Sequence, residues 1–276
     1  MQWSKDFEVG IPFIDADHRL LVDLIKQANE SINSRDESAI LSSILGALFD
    51  YTEYHFFREE KMMELAGYQG LKNHREIHHS LANEVREIDK KFRADPEVFS
   101  AVEFRSFLND WLIDHITGHD LDYRHDCLEK PDAIANAGSL RFMEDERAQG
   151  GDGDLKTISV MVVDDNKKIL LLVETILRAL GLRRIKVEQS SVSALDALIN
   201  RPADLVLCDW VMDEMNGGEF ALKVKEMKLP SKVIIMTGLS IETLRERSTN
   251  DAIHGYLEKP ISAKSLLGVI TLAAGN

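Results

Sequence analysis

His74-Arg75-Glu76-Ile77-His78 sets two imidazoles four residues apart, on one face of any helix that contains them. The same spacing recurs upstream in His55-Phe56-Phe57-Arg58-Glu59. Downstream, His115-Ile116-Thr117-Gly118-His119-Asp120 places a carboxylate five residues after a histidine, and His18 stands near the start of the chain. Eight of the nine histidines precede residue 130, most of them at helical spacing within apolar stretches. An imidazole in apolar surroundings needs a partner, and so many together point to metal rather than to separate hydrogen bonds. Five histidines and two carboxylates suit a pair of carboxylate-bridged metal ions.

Apolar periodicity extends outward from these residues. Over 17–33 it runs Leu20, Leu21, Leu24, Ile25, Ala28, Ile32, with Asp15 or Asp17 expected as N-cap. Over 37–66 one face carries Ile44, Leu48, Tyr51, His55, Glu59 and Met62, and Gly67 is the expected stop. His74, His78, Leu81, Val85 and Ile88 mark a third stripe over 70–93. After Pro96 a fourth runs from about 98 to 128 with Phe104, Phe107, Leu108, Trp111 and His115. Four amphipathic helices with short connections predict an all-α antiparallel four-helix bundle over 1–130, each helix turning ligands inward.

Residues 131–155 read as a linker, its first part open to helix and its second ending in Gln149-Gly150-Gly151-Asp152-Gly153-Asp154. From 156 the period changes. Ile158–Val163, Arg184–Val187, Leu205–Cys208 and Val233–Met236 read as short strands, alternating with stretches such as Ile169, Leu172, Val173, Ile176 and Leu177. Residues 156–276 are therefore expected to form a doubly wound α/β domain on a parallel five-stranded sheet, these four strands being joined by a fifth that ends just before Lys259. Ligands of such sheets bind beyond the carboxyl ends of the strands, where the acidic residues of this half lie.

The 276 residues suffice for two cores, and the apolar and charged fractions of 44% and 29% are ordinary for a globular chain. A net charge of −14 without a basic stripe argues against nucleic acid and anionic membrane as partners. No secretory leader or spanning segment is read, and Cys127 and Cys208, one in each half, offer neither zinc spacing nor a disulfide framework. A cytoplasmic location is expected.

The histidine constellation, with Asp15-Ala16-Asp17-His18 and Trp111-Leu112-Ile113-Asp114-His115-Ile116 around it, resembles the hemerythrins across residues 1–130. That resemblance implies two non-haem irons with an oxo or hydroxo bridge. His74, His78 and His115 would hold one and His18 and His55 the other, with Glu59 and Asp120 bridging and an open position for dioxygen or nitric oxide. Residues five apart on an α-helix diverge by about 140°, so His115 and Asp120 predict a π-type irregularity that Gly118 could ease. His79, His125 and His254 read as surface residues, and His119 as a solvated residue with a second option as hydrogen-bond donor beside Asp120. Carboxylate-rich oxidase sites use Glu-x-x-His motifs. The imidazole-rich set here leaves more positive charge on the metals and favours reversible binding or redox sensing.

The second half resembles response-regulator receiver domains over 157–274. The resemblance makes Asp209 the phospho-acceptor, with Asp164, Asp165, Asp209 and the Val211 carbonyl around Mg²⁺. Thr237 and Lys259 would contact the phosphoryl group, Tyr256 would be the aromatic switch, and Lys259-Pro260 a cis peptide. Asp213 departs from the proline usual there. The implied protein is a two-component signalling protein coupling an oxygen- or redox-sensing di-iron domain to a phosphorylated receiver. Its partners would be a histidine kinase or phosphotransfer protein and an unknown downstream protein; homodimerisation is open. It is not expected to be an enzyme, apart from the receiver's own phosphorylation and dephosphorylation. The alternatives are an oxygen carrier or iron-binding protein with the receiver as adaptor, and a di-iron oxidase or nitric oxide reductase. No DNA-binding or cyclase segment is read after the receiver, so direct transcriptional output is not expected.

Overall fold

The computed structural model describes residues 3–31, 38–95, 101–142, 155–247 and 251–274. It divides into two compact units, 1–144 and 145–276.

The first unit is the four-helix bundle. Helix α1 (Pro12–Ser31) buries Ile14, His18, Leu21, Ile25 and Ala28 along one stripe. Neither Asp15 nor Asp17 caps it. Pro12, whose ring pre-sets the first helical turn, starts the helix earlier, and Asp15 reaches back to accept from Val9 N at 2.8 Å and Gly10 N at 3.1 Å. Helix α2 (Ser38–Ala66) buries Ile44, Leu48, Tyr51, His55, Glu59 and Met62. It stops at Gly67, whose φ of +75° lets Tyr68 N donate to Met63 O and Gly67 N to Glu64 O, at 3.0 and 3.1 Å. Helix α3 (Leu71–Ala94) buries His74, His78 and Val85, while Leu81 and Ile88 are half-buried.

The fourth helix is continuous along the chain but not in winding. Helix α4 (Ala101–His115) passes into a π turn, Ile116–Asp120, before α5 (Leu121–Leu128) resumes α geometry. This is the irregularity that the His115–Asp120 spacing predicts. Gly118 is not left-handed, and a Cβ there would meet nothing within 4 Å. The distortion therefore does not depend on glycine at that position.

The segment read as the start of a linker folds as helix α6 (Pro131–Ser139) and packs on the bundle, burying Ala133 and Ala137. Its buried side chains are alanines, so no large-residue stripe announces it. Residues 143–154, the rest of the glycine-rich stretch, lie outside the described residues.

The second unit is a five-stranded parallel sheet in the order β2-β1-β3-β4-β5. Its strands are β1 (Ser159–Val163), β2 (Arg184–Glu188), β3 (Leu205–Asp209), β4 (Lys232–Thr237) and β5 (Gly255–Glu258). Helices α7 (Lys167–Ala179), α8 (Ser191–Asn200), α9 (Gly217–Glu226), α10 (Ile241–Arg247) and α11 (Ala263–Ala274) connect or follow them. Strands β1, β3 and β4 are almost wholly buried, as their unbroken apolar runs require, whereas edge strand β2 exposes Arg184 and Lys186. Asp164 follows β1, Asp209 closes β3, Thr237 closes β4 and Lys259 follows β5, so their chemistry collects at one end of the sheet. No helix among the described residues is long and apolar enough to cross a membrane.

Candidate metal and phosphoryl sites

Each helix of the bundle contributes ligand-type atoms to one buried cluster. Glu59, His74, His78 and His115 form one group and His18, His55 and Asp120 another, within each of which the ligand atoms lie no more than 4.8 Å apart. All seven residues are buried.

The two carboxylates stand between the groups. Asp120 Oδ1 is 3.1 Å from His115 Nε2 and 3.5 Å from His74 Nε2, while its Oδ2 is 3.2 Å from His18 Nε2. Glu59 Oε2 lies 3.3 Å from His55 Nε2 and 3.4 Å from His78 Nε2, and its Oε1 is 3.6 Å from His74 Nε2. His78 Nε2 and His115 Nε2 face one another at 3.2 Å. Despite this closeness, His18 Nε2, His55 Nε2, His74 Nε2 and all four carboxylate oxygens make no hydrogen bond. Buried polar atoms are ordinarily satisfied. Lone pairs aimed into a shared space, short of one another's hydrogen-bonding lines, suit cations lying between them.

The electrostatics agree. Burial drives His18 down to about 3 and His74 to about 4, and holds His115 well below the usual imidazole range, so these rings are neutral donors. Burial would lower His78 as well, but the Glu59 and Glu60 carboxylates reverse the shift. Burial raises Glu59, yet the imidazoles of His78, His55 and His74 outweigh it and keep the group well below its ordinary value. Asp120 goes the other way, raised by burial and then by the Glu59 charge. Two buried carboxylates this close do not both ionise unless positive charge joins them.

The second nitrogens of two rings have partners that the sequence did not reveal. His78 Nδ1 is 2.8 Å from Glu60 Oε1, and Arg75 Nε donates to Glu60 Oε2 at 3.1 Å. His55 Nδ1 faces Asp17 Oδ2 at 3.4 Å, and Asp17 also accepts from Tyr51 Oη at 2.7 Å and Arg58 Nη1 at 2.9 Å. Such partners fix the tautomer that leaves Nε2 free for metal. Tyr123, wholly buried, lies against His74 with ring centroids 5.6 Å apart. Of the remaining histidines, His79, His125 and His254 are exposed, and His254 Nδ1 accepts from Val233 N at 3.1 Å. His119 is half-buried rather than solvated. With Phe107, Trp111, Asp114 and His115 it lines a cavity of about 350 Å³ that opens beside the metal-type cluster.

In the second unit Asp164, Asp165 and Asp209 bring ligand atoms within 4.8 Å of one another, the set a hard oxygen-seeking cation takes. Lys259 Nζ donates to Asp209 Oδ1 at 2.9 Å and Asp164 Oδ2 at 3.2 Å. Burial raises Asp164 to about 6, partly offset by Lys259 and increased by Asp209. Burial and then Asp209 and Asp213 raise the exposed Asp165. Lys259 is held above its usual value because these carboxylates outweigh burial. Thr237 is buried, with Oγ1 accepting from Leu239 N at 2.9 Å. Tyr256 is half-buried on β5, Val211 is exposed with its N donating to Asp209 Oδ2 at 3.2 Å, and Lys259-Pro260 is cis. Gly217 was not anticipated: a Cβ there would stand 2.5 Å from the Asp209 carbonyl oxygen. Only glycine lets the capped start of α9 sit so close behind the end of β3.

Comparison with known proteins places both units. Residues 9–123 match the hemerythrin HHE cation binding domain and 160–271 the response regulator receiver domain. A bacteriohemerythrin of Pseudomonas aeruginosa is 34% identical over 149 residues, 54% of this chain and 90% of that protein. One from Stenotrophomonas maltophilia is 31% identical over 121 residues, 44% of this chain and 77% of that protein. Among solved structures, the chemotaxis response regulator CheY4 of Vibrio cholerae aligns with 42% of this chain and 98% of its own, at 21% identity and a TM-score of 0.40.

Proposed function

The chain belongs to the hemerythrin family and carries a response-regulator receiver domain, and from that premise we propose that it is a two-component signalling protein whose iron site conditions phosphorylation of Asp209. The observation that carries the reading is the convergence of five buried imidazoles and two buried carboxylates, with His18, His55 and His74 Nε2 and all four carboxylate oxygens making no hydrogen bond, on the same chain as an Asp164–Asp165–Asp209–Lys259 cluster.

Iron bound in the bundle would supply a centre for dioxygen or nitric oxide and a one-electron redox change. His74, His78 and His115 would hold one ion, His18 and His55 the other, and Glu59 and Asp120 both. Neutral imidazoles leave much of the metals' charge uncompensated, which favours a small ligand or a redox signal over oxidation of an organic substrate. The cavity beside Trp111 and His115 gives a small molecule a way towards the site.

In the receiver, Mg²⁺ would be held by Asp164, Asp165, Asp209 and the Val211 carbonyl, and would neutralise phosphoryl charge. A carboxylate oxygen of Asp209 attacks the phosphorus of a phosphohistidine donor as the P–N bond breaks, giving an acyl phosphate. Lys259, already bonded to Asp209, pairs with the incoming charge, and Thr237 donates its hydroxyl once released from Leu239. Tyr256 reports the change by reorienting on β5. The donor is a histidine kinase or phosphotransfer protein, and output passes by protein contact.

The test is the rate of Asp209 phosphorylation by a small phosphodonor with the iron reduced, oxidised and oxygen-exposed. A change of threefold or more between states is expected, absent in Asp209→Asn and absent in iron-free protein. Identical rates in all states would refute coupling at this step.

A further inference from the structure

Helix α6 is tied to the bundle by polar straps as well as by apolar contact. Its sequence, Pro-Asp-Ala-Ile-Ala-Asn-Ala-Gly-Ser, buries Ala133 and Ala137, with Ile134 packed half-buried against the bundle core. The straps come from two residues one turn apart on α2. Arg58 Nη2 donates to Gly138 O at 3.1 Å and Arg58 Nε to Ala137 O at 3.4 Å, while Tyr54 Oη donates to Leu140 O at 2.8 Å. The guanidinium is clamped between the rings of Phe13 and Tyr54, at 4.6 and 4.9 Å from their centroids. A Cβ on Gly138 would stand 3.3 Å from the Phe13 ring, so α6 lies close over this stack.

The other edge of the same guanidinium faces the metal-type site. Arg58 Nη1 donates to both oxygens of Asp17 at 2.9 Å, and Asp17 Oδ2 faces His55 Nδ1 at 3.4 Å. The Arg58 and Asp17 side chains are 8% and 3% exposed, so the pair is shielded from water and its strength depends on who else shares the carboxylate. An imidazole that gives Nε2 to a cation becomes a stronger donor at Nδ1. His55 would then take more of Asp17, and the arginine would have to redistribute between Asp17 and the α6 carbonyls. Iron at His55 and the seating of α6 therefore draw on one buried guanidinium.

We infer that Arg58 is a positioning residue with two clients, orienting His55 through Asp17 and clasping α6, and that α6, which precedes the receiver in the chain, is the bundle's output element. The inference rests on the reading of His55 as an iron ligand. It adds the route by which iron state leaves the bundle.

The test is amide hydrogen exchange on the full chain, iron-free and iron-loaded, read over residues 131–142. Wild type is expected to change its exchange there by tenfold or more on loading. Arg58→Met, loaded at whatever iron concentration brings it to wild-type iron per chain, should show less than a twofold change on loading, while α3 amides around His74 and His78 respond as in wild type. Asp17→Asn, which keeps the side-chain shape, serves as the second variant should Arg58→Met fail to fold, with the same expectation. The inference is overturned if α6 exchange is indifferent to iron in wild type, or if the variants keep the full response. An α6 response without any effect of iron on phosphorylation would leave the clasp standing and refute the coupling proposed above. The converse result would refute the clasp alone.

Discussion

The π turn between His115 and Asp120 makes the metal-type site a measure of helix length. In an unbroken α-helix, residues five apart diverge by about 140° and residues four apart by about 40°. Deleting Gly118 reduces the His115–Asp120 spacing from five to four, so α geometry itself then keeps the pair on one face. Residues after the turn stay in place, because a π turn is one residue inserted in an α-helix. Nothing packs within 4 Å of the Gly118 Cβ position, so the lost residue leaves no hole. The deletion is expected to keep full iron binding and a thermal midpoint within a few degrees of wild type. Inserting one alanine after Gly118 does the opposite. It turns α5 by about 100° and advances it by about 1.5 Å, carrying Asp120 off the site and swinging the wholly buried Tyr123 and Cys127 outward. Exposing a large apolar side chain costs about 1.5–3 kcal/mol, so the pair amounts to roughly 3–5 kcal/mol and a midpoint lower by about 10 °C or more. Iron per chain and circular-dichroism melting decide it. A folded deletion variant that binds less than half the wild-type iron, or an insertion variant that binds it fully, would refute the reasoning.

Three further expectations use the same geometry. Asp164 is raised to about 6, so it stabilises the metal-free receiver at low pH, by up to about 3 kcal/mol, and that stability is lost as pH rises through about 6. Asp164→Asn should abolish this slope in denaturant titrations. Mg²⁺ needs the ionised group, so its affinity should fall about tenfold per pH unit below 6, read from the fluorescence of Trp210 beside Asp209; a flat profile from pH 7.5 to 5 contradicts the assignment. Lys259→Met removes the cation between Asp164 and Asp209 and should move the midpoint of that Mg²⁺ profile up by about one pH unit or more; an unchanged midpoint counts against the pairing. Iron at a thousandfold excess over its Kd should stabilise the bundle by about 4 kcal/mol, reversed by chelator. The receiver's transition should stay put, and calorimetry showing both transitions moving, or neither, would argue against a site confined to the bundle.

Much of this architecture was legible because the informative patterns are local. His55–Glu59 and His74–His78 share faces by four-residue spacing alone, and apolar stripes around them turn those faces inward. The His115–Asp120 spacing even announced a departure from α geometry. The strand ends at Asp164 and Asp209 were legible because unbroken apolar runs stop there. The start of 131–155 reads as open to helix, but the packing of α6 on the bundle was not legible, because the residues it buries are alanines, which also suit a linker.

What was not legible has a common physical form. An imidazole has two nitrogens, and a helix pattern shows only which face the ring is on. The partner of the other nitrogen comes from a different helix: Glu60 of α2 for His78 of α3, and Asp17 of α1 for His55 of α2. Arg58 is three residues from His55, yet its carbonyl partners are 79 and 80 residues away. Gly217 is required only because the Asp209 carbonyl stands behind it. Spacing along one element thus supplies the ligands, and the packing of elements supplies the groups that set their tautomers and connect them to the rest of the chain. A variant series confined to the histidines would therefore test whether iron binds. Substitutions at Asp17, Arg58 and Glu60 would test whether anything else in the protein responds to it.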